Sequence, residues 1–425
     1  MAAPIPMLDS YQRVNISSAT LAILVDFAAA NQGRRLSSMI GDTPTLVDWE
    51  DVYAGVLRNG LIGLTYHYLS ANPGLDIPTA FVEKIKKAFL IHSLRMTWIN
   101  RNIKSVLSAL NESGIQYLVV KGPAVAFSVF PAANLRVYND LDLTVHESDW
   151  VEVSKALERA GYHLYDGEAA PPPRVVPDEV NHESKYLNAE GNFRVEAHFD
   201  DLLRTGFAAR DLEGFWKRAI HLEMDGVPFP TLCLEDQIVY LSAHAHHHGY
   251  TRLNWFSDIA LILRDKAALI DWQKLIDVVK VEEAQVPVYY TLYFIERLFS
   301  ISTPAQVMDA IRPDRFRRWL HDRLMPPARV LSFEPMVQVF FCFYFYPLFQ
   351  RLLPDLLVMG RRREKLRFLL HLLVPPREWL RYFYKLKKEG WVDYYYLIHP
   401  FKIAEMYWKE IISILSRRRW KDIQI

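Results

Sequence analysis

The stretch from Lys121 to Val145, KGPAVAFSVFPAANLRVYNDLDLTV, constrains the fold more than any other part of this chain. A β-branched run ends at its Lys-Gly, a short helical segment follows, and a second apolar run opens on two aspartates. Side chains two residues apart on a strand share a face, so Asp140, Asp142 and Thr144 are expected on one side and Leu141, Leu143 and Val145 on the core side. Two carboxylates on a rigid element are a common way of holding a divalent cation beside phosphates. The Gly122 turn would bring backbone N–H groups and a helix N-terminus to those phosphates. A lone D-x-D is often a solvated edge, but the apolar flanks here predict a well-anchored strand.

A chain of 425 residues, 51% hydrophobic and 13% aromatic, has material for two or three packed domains. Its texture divides it into a helical region over 1–112, a core with strands over 113–232, and a second helical region over 233–425. Apolar residues recur at three and four between 18 and 112, which predicts an N-terminal helical cap. YLVVKG and DLDLTV read as strands, and Asp149 to Ala160 as an amphipathic helix stopped by Gly161. The Pro-rich segment Glu168 to Glu179 reads as a loop. His182 to Asn188 and Phe193 to Phe199, separated by a turn, predict a hairpin. Beyond Leu234 the pattern is helical, with breaks expected at Pro347, Pro354, Pro375, Pro376 and Pro400.

The N-terminal MAAPIPMLDSYQRVNISS has neither a basic leader nor an apolar stretch, so no secretory signal is expected. Cys233 and Cys342 lie far apart in apolar surroundings, as buried reduced thiols would. A cytoplasmic location follows as the expectation. The apolar run Val339 to Phe349 is too short to span a bilayer and contains Pro347. Net charge is +1, yet residues 361–425 hold 16 Lys and Arg against 7 Asp and Glu, interleaved with Trp, Tyr and Phe. That mixture suits peripheral contact with an anionic membrane surface, and is also compatible with nucleic acid.

A D-x-D pair needs a third carboxylate to hold two metals, and FRVEAHFD offers Glu196, with His198 on the same strand face. Glu196 is also placed to take the proton of an incoming hydroxyl. In order and pattern these elements resemble the DNA polymerase β-like nucleotidyltransferase superfamily, and within it the uncharacterised bacterial nucleotidyltransferases associated with polysaccharide gene clusters. The resemblance rests on the strand ending in Lys121-Gly122, Arg136 ahead of Asp140-x-Asp142, the hairpin with Val195-Glu196-Ala197-His198, and the later His-rich helix running to Trp255-x-x-Asp258. It covers about residues 115 to 265, with weaker likeness in YLIHP.

What the resemblance implies is an α+β fold: a small mixed sheet flanked by helices. Asp140, Asp142 and Glu196 would bind Mg²⁺ or Mn²⁺, and the Gly122 turn would hold the phosphates of an NTP, ATP foremost. By their own chemistry Lys121, Arg136 and Lys185 are further candidates for those phosphates, with Arg136 equally open to a structural ion pair with a nearby acid. A nucleoside monophosphate would then pass to an acceptor hydroxyl with release of pyrophosphate, in polysaccharide biosynthesis or elsewhere. The superfamily's usual Gly-Ser or Gly-Gly turn is here Gly122-Pro123, and Pro has no N–H to donate. That departure supports the alternative of a degenerate, non-catalytic binding or scaffold protein at the membrane surface. His244 and His248 stand at i, i+4 on the expected helix, a spacing open to a zinc hydrolase, to a cleft lining, or to packing against Trp255 and Asp258, an aspartate able to orient an imidazole.

Overall fold

The computed structural model describes residues 18–29, 47–165, 183–199, 211–333 and 390–415, with scattered positions between 366 and 386. The Pro-rich segment 168–179, the apolar run 339–349, Pro354 and Cys342 lie outside the described residues. The N-terminal region is helical as expected: α1 (Ser18–Ala28), α2 (Trp49–Arg58), α3 (Ile62–Ala71) and the long α4 (Thr79–Glu112). The Asp48 carboxylate starts α2 by accepting the otherwise orphaned N–H groups of Glu50 and Asp51.

The strands and the helices between them follow: β1 (Tyr117–Val120), α5 (Gly122–Ser128), β2 (Asp140–Val145), α6 (Trp150–Arg159), β3 (Tyr162–Leu164), β4 (Glu183–Asn188), β5 (Arg194–Phe199), α7 (Leu212–Lys217), β6 (Ile220–Met224) and β7 (Val227–Thr231). They form one mixed sheet in the order β3-β4-β5-β2-β1-β7-β6. Neighbours run antiparallel except β2 with β5 and β1 with β7. The β4–β5 turn is closed by the Asn188 carboxamide oxygen, which accepts from the backbone of Asn192 and Phe193. The architecture is the α+β arrangement of a small mixed sheet with large helical regions.

The β6–β7 hairpin and β3 were not foreseen. Asp225-Gly226 is a two-residue hairpin turn, but Pro228 and Pro230 cannot donate to a ladder, so the second strand reads as irregular. It tolerates them because its register with β1 is a single pair, Val119 opposite Thr231. The Thr231 hydroxyl adds a 2.7 Å bond to the Val119 carbonyl.

The helical remainder comprises α8 (Leu234–His247), α9 (Leu253–Asp265), α10 (Trp272–Val281), α11 (Gln285–Phe299), α12 (Ala305–Ala310), α13 (Arg315–Leu324), α14 (Pro327–Ser332) and α15 (Gly390–Leu415). The break expected at Pro400 does not occur, since α15 runs through it. Proline removes one helical bond and kinks more readily than it ends a helix. The turn before it is pinned by Tyr396 Oη donating to the Pro375 carbonyl and by a 2.8 Å bond between Tyr384 Oη and His399 Nδ1.

Two cores sandwich the sheet. On one side Tyr117, Val119, Leu141, Leu143, Val145, Val195 and Ala197 meet α6 and the C-terminal half of α4. On the other, Leu118 and Val120 of β1 join α1–α3 and α8–α11. Phe81 and Ile85 of α4 belong to this second core, and Met96 through Leu110 to the first. One helix about 50 Å long thus serves both.

Candidate metal and nucleotide site

Register alone assembles the site. Asp142 of β2 lies opposite Glu196 of β5, which lies opposite Lys185 of β4. One row along, Thr144 faces His198; one row the other way, Asp140 faces Arg194. All of these alternate with the core-facing Leu141, Leu143, Val195 and Ala197, so they share the opposite face of the sheet. That face is apolar under β1 and charged under β2, β5 and β4.

Asp142, Glu196 and His198 are all buried, and each offers one ligand atom within 4.8 Å of the others. His198 Nε2 is 3.1 Å from Asp142 Oδ1 and 3.9 Å from Glu196 Oε2. Among the described residues this is the one such cluster of three. Asp140, at the strand's start, is only partly buried and lies beside the cluster.

Two cations serve these acids. The Lys121 ammonium contacts Asp142 Oδ1. Arg194 reaches Glu196 Oε1 at 2.9 Å with Nε and Asp140 Oδ2 at 3.2 Å with a terminal nitrogen. Burial works against the Arg194 charge, but Glu196 and Asp140 more than offset it and raise its pKa. Arg194 was missed in the sequence; its position two residues before Glu196 places it on the same face and was the available signal.

Lys121 is held in an unusual backbone conformation, φ 57° and ψ −147°, a region that residues bearing a Cβ rarely enter. Such strain costs on the order of 1–3 kcal/mol and clusters at functional sites. Gly122 follows at φ +20°, where an added Cβ would come 3.4 Å from Tyr138 Cβ. The turn therefore packs tightly onto the segment leading into β2. Pro123 sits in the first turn of α5, where its missing N–H breaks no helical bond.

Arg136, open in the sequence to a triphosphate or to a structural ion pair, forms the ion pair. It is buried, and its Nε and a terminal nitrogen donate to the two oxygens of Asp258 at 2.8 and 2.6 Å. Asp258 is likewise not orienting an imidazole, because both of its oxygens are occupied by that fork. Burial opposes the Arg136 charge and the Asp258 carboxylate overcomes it, so the guanidinium is held above its ordinary pKa. The bond ties the approach to β2 onto α9.

His244 and His248 pack on aromatic rings. Their centroids lie 5.3 and 5.2 Å from that of Trp255, and 4.6 Å from each other. Among the described residues they belong to no group of three or more metal-spaced ligands. Cys233 is buried, and desolvation pushes its thiol up to about 12, an inert core cysteine.

The carboxylate set fits a divalent cation, because hard oxygen donors converge at one place on a rigid sheet. The Thr144 hydroxyl, fully buried in the next row of that face, has no hydrogen-bond partner among the described residues. The model of a family described as an uncharacterised nucleotidyltransferase matches residues 45–300. That span contains every site residue named above. No curated protein matches the chain.

Proposed function

Since the chain belongs to this uncharacterised nucleotidyltransferase family, we propose that it is a metal-dependent enzyme that transfers a nucleoside monophosphate from an NTP to an acceptor hydroxyl and releases pyrophosphate. The observation carrying this is the pairing of Asp142 with Glu196 across β2 and β5, with Asp140 on the same face and Lys121 against Asp142. Asp140, Asp142 and Glu196 would hold Mg²⁺ or Mn²⁺, which when bound neutralises phosphate charge and favours in-line displacement at the α-phosphorus.

The chain's own groups do the rest. Lys121 and Arg194 contact the carboxylates directly, and their charges would hold the oxygens of a triphosphate bound there. The Gly122 turn next to Lys121 would offer backbone N–H groups to the phosphates, and Lys185 is a further cation in the Glu196 row. As the acceptor oxygen bonds to the α-phosphorus, the bond to the β-phosphate oxygen breaks, pyrophosphate leaves and Glu196 takes the hydroxyl proton. ATP and a sugar hydroxyl of a growing polysaccharide are the first donor and acceptor to try. Incubation with each α-labelled NTP, cell extract and Mg²⁺ should move label onto glycan, protein or nucleic acid. If Asp140→Asn with Asp142→Asn leaves that transfer unchanged, the mechanism is wrong.

Pro123 favours a second reading, a nucleotidyltransferase fold that binds without turning over. Equilibrium binding of labelled ATP separates the two, because a degenerate site gains no affinity on adding Mg²⁺. In either case we assign peripheral membrane contact to α15. Trp391, Tyr394, Leu397 and Phe401 follow helical spacing and are all more than half exposed. No helix among the described residues is long and apolar enough to cross a membrane. Flotation with vesicles containing anionic lipid should be lost in Leu397→Glu with Phe401→Glu; flotation that persists removes this contact.

A further inference from the structure

We infer that His198 is a direct metal ligand, so that the inner cation site is Asp142, Glu196 and His198, a donor set that prefers a divalent first-row transition ion such as Mn²⁺ to Mg²⁺. This rests on the metal site of the proposed function. Its geometry is particular to the β2–β5 pairing. Asp142 and Glu196 are directly opposite, and His198, two residues beyond Glu196, returns to the same face in the adjoining row. Its Nε2 lies 3.1 Å from Asp142 Oδ1 and the residue is 4% exposed, so the imidazole is aimed among the carboxylates and away from solvent.

Two features separate this from an ordinary buried histidine. All three residues present a ligand atom within one 4.8 Å span, close enough to share a single ion. The Thr144 hydroxyl opposite His198 is a fully buried polar group with no partner among the described residues, which costs about 1–3 kcal/mol unless something polar meets it. Mg²⁺ demands oxygen donors and binds imidazole poorly, whereas first-row transition ions accept nitrogen beside carboxylate. Asp140, half-exposed and held by Arg194, borders the set on the nucleotide side.

Pulsed electron paramagnetic resonance of the full-length chain with at most one equivalent of Mn²⁺ reads the ligand directly. The expected result is an echo modulation from ¹⁴N that converts to the ¹⁵N pattern on ¹⁵N-histidine labelling and disappears in His198→Gln. Mn²⁺ affinity should fall about ten- to a hundredfold in that variant, with Mg²⁺ affinity changing less than about threefold. Mn²⁺ bound without nitrogen coupling, or coupling that survives His198→Gln, overturns the inference and makes His198 a residue that merely orients Asp142. Absence of Mn²⁺ binding in the wild type overturns it as well. Label transfer from α-labelled NTP under Mg²⁺ reports separately, so the nucleotidyl-transfer reading can stand while this one falls. The isotope substitution needs no variant to fold.

Discussion

The charged face of β2 and β5 and the α8–α9 region both bury ions and imidazoles, and they do so in opposite ways. Around α9 the charges close on each other and the imidazoles pack on rings. Arg136 and Asp258 close on each other through two bonds, and His246 and His321 lie against rings, His321 stacking on Tyr290 at 3.4 Å. On the sheet face the groups are shared: Asp142 meets both Lys121 and His198, and Arg194 divides itself between Glu196 and Asp140. Closed pairs hold a fold together at the cost of desolvation. Shared carboxylates can trade a partner for a ligand, which is why the proposed function is assigned to the second arrangement.

Attacking one member of each arrangement tests the contrast. Asp142→Asn should reduce label transfer by about 10³–10⁴-fold, roughly 4–5 kcal/mol on the barrier, while circular dichroism stays native. Asp258→Asn should do the reverse, leaving Arg136 buried without its counter-charge and removing about 3–5 kcal/mol of stability in urea unfolding. Transfer per folded molecule should hardly change; a turnover loss as deep as that of Asp142→Asn would erase the distinction.

Acid should act on the closed region next. Burial lowers the pKa of His246 to about 3 and that of His321 in the same direction, so both are neutral in the fold and titrate near 6.5 once unfolded. Unfolding then takes up protons as pH falls below 6.5, so the stability they contribute is present above that pH and is lost on the way down. Each imidazole would remove up to about 1.4 kcal/mol per pH unit. His246→Leu should flatten the slope measured by urea unfolding between pH 7 and 5, and an unchanged slope would show that these rings are not the source.

Arg194→Gln should raise the KM for NTP about tenfold, close to 1.4 kcal/mol, with melting temperature little altered. At the small end, His244→Gln with His248→Gln should leave transfer unchanged and the purified protein free of zinc by elemental analysis. Stoichiometric zinc lost on that double substitution would return these rings to the functional set.

Local signals in the sequence reached far into the fold but stopped at pairing between distant segments. The β1 turn, α5 and β2 were legible because alternation and Lys121-Gly122 mark them within 25 residues, and the β4–β5 hairpin because its turn is short. The structure brings Lys121, Asp140, Asp142, Glu196 and His198 together, Lys121 against Asp142 and the others in adjoining rows of β2 and β5. Arg194 shares the face of Glu196 two residues on, a local signal that was missed, and only its contact with Asp140, which depends on the parallel register of β2 with β5, lay beyond any local pattern. The same is true of Arg136: its partner lies 122 positions away, and a sequence offers no means of choosing between that carboxylate and a phosphate. Prolines hid β7, whose turn was otherwise plain.

The long helix α4 has a thermodynamic consequence. Its N-terminal turns are packed into the core of the helical regions and its C-terminal turns into the core beneath the sheet. Neither core can lose its packing without freeing part of the same rod, and a helix released from its contacts on one half loses much of what keeps it helical. Calorimetry over the thermal transition should therefore show one peak for both cores. A fragment trimmed to the stranded segment alone, 113–232, would leave the spar behind and should not fold.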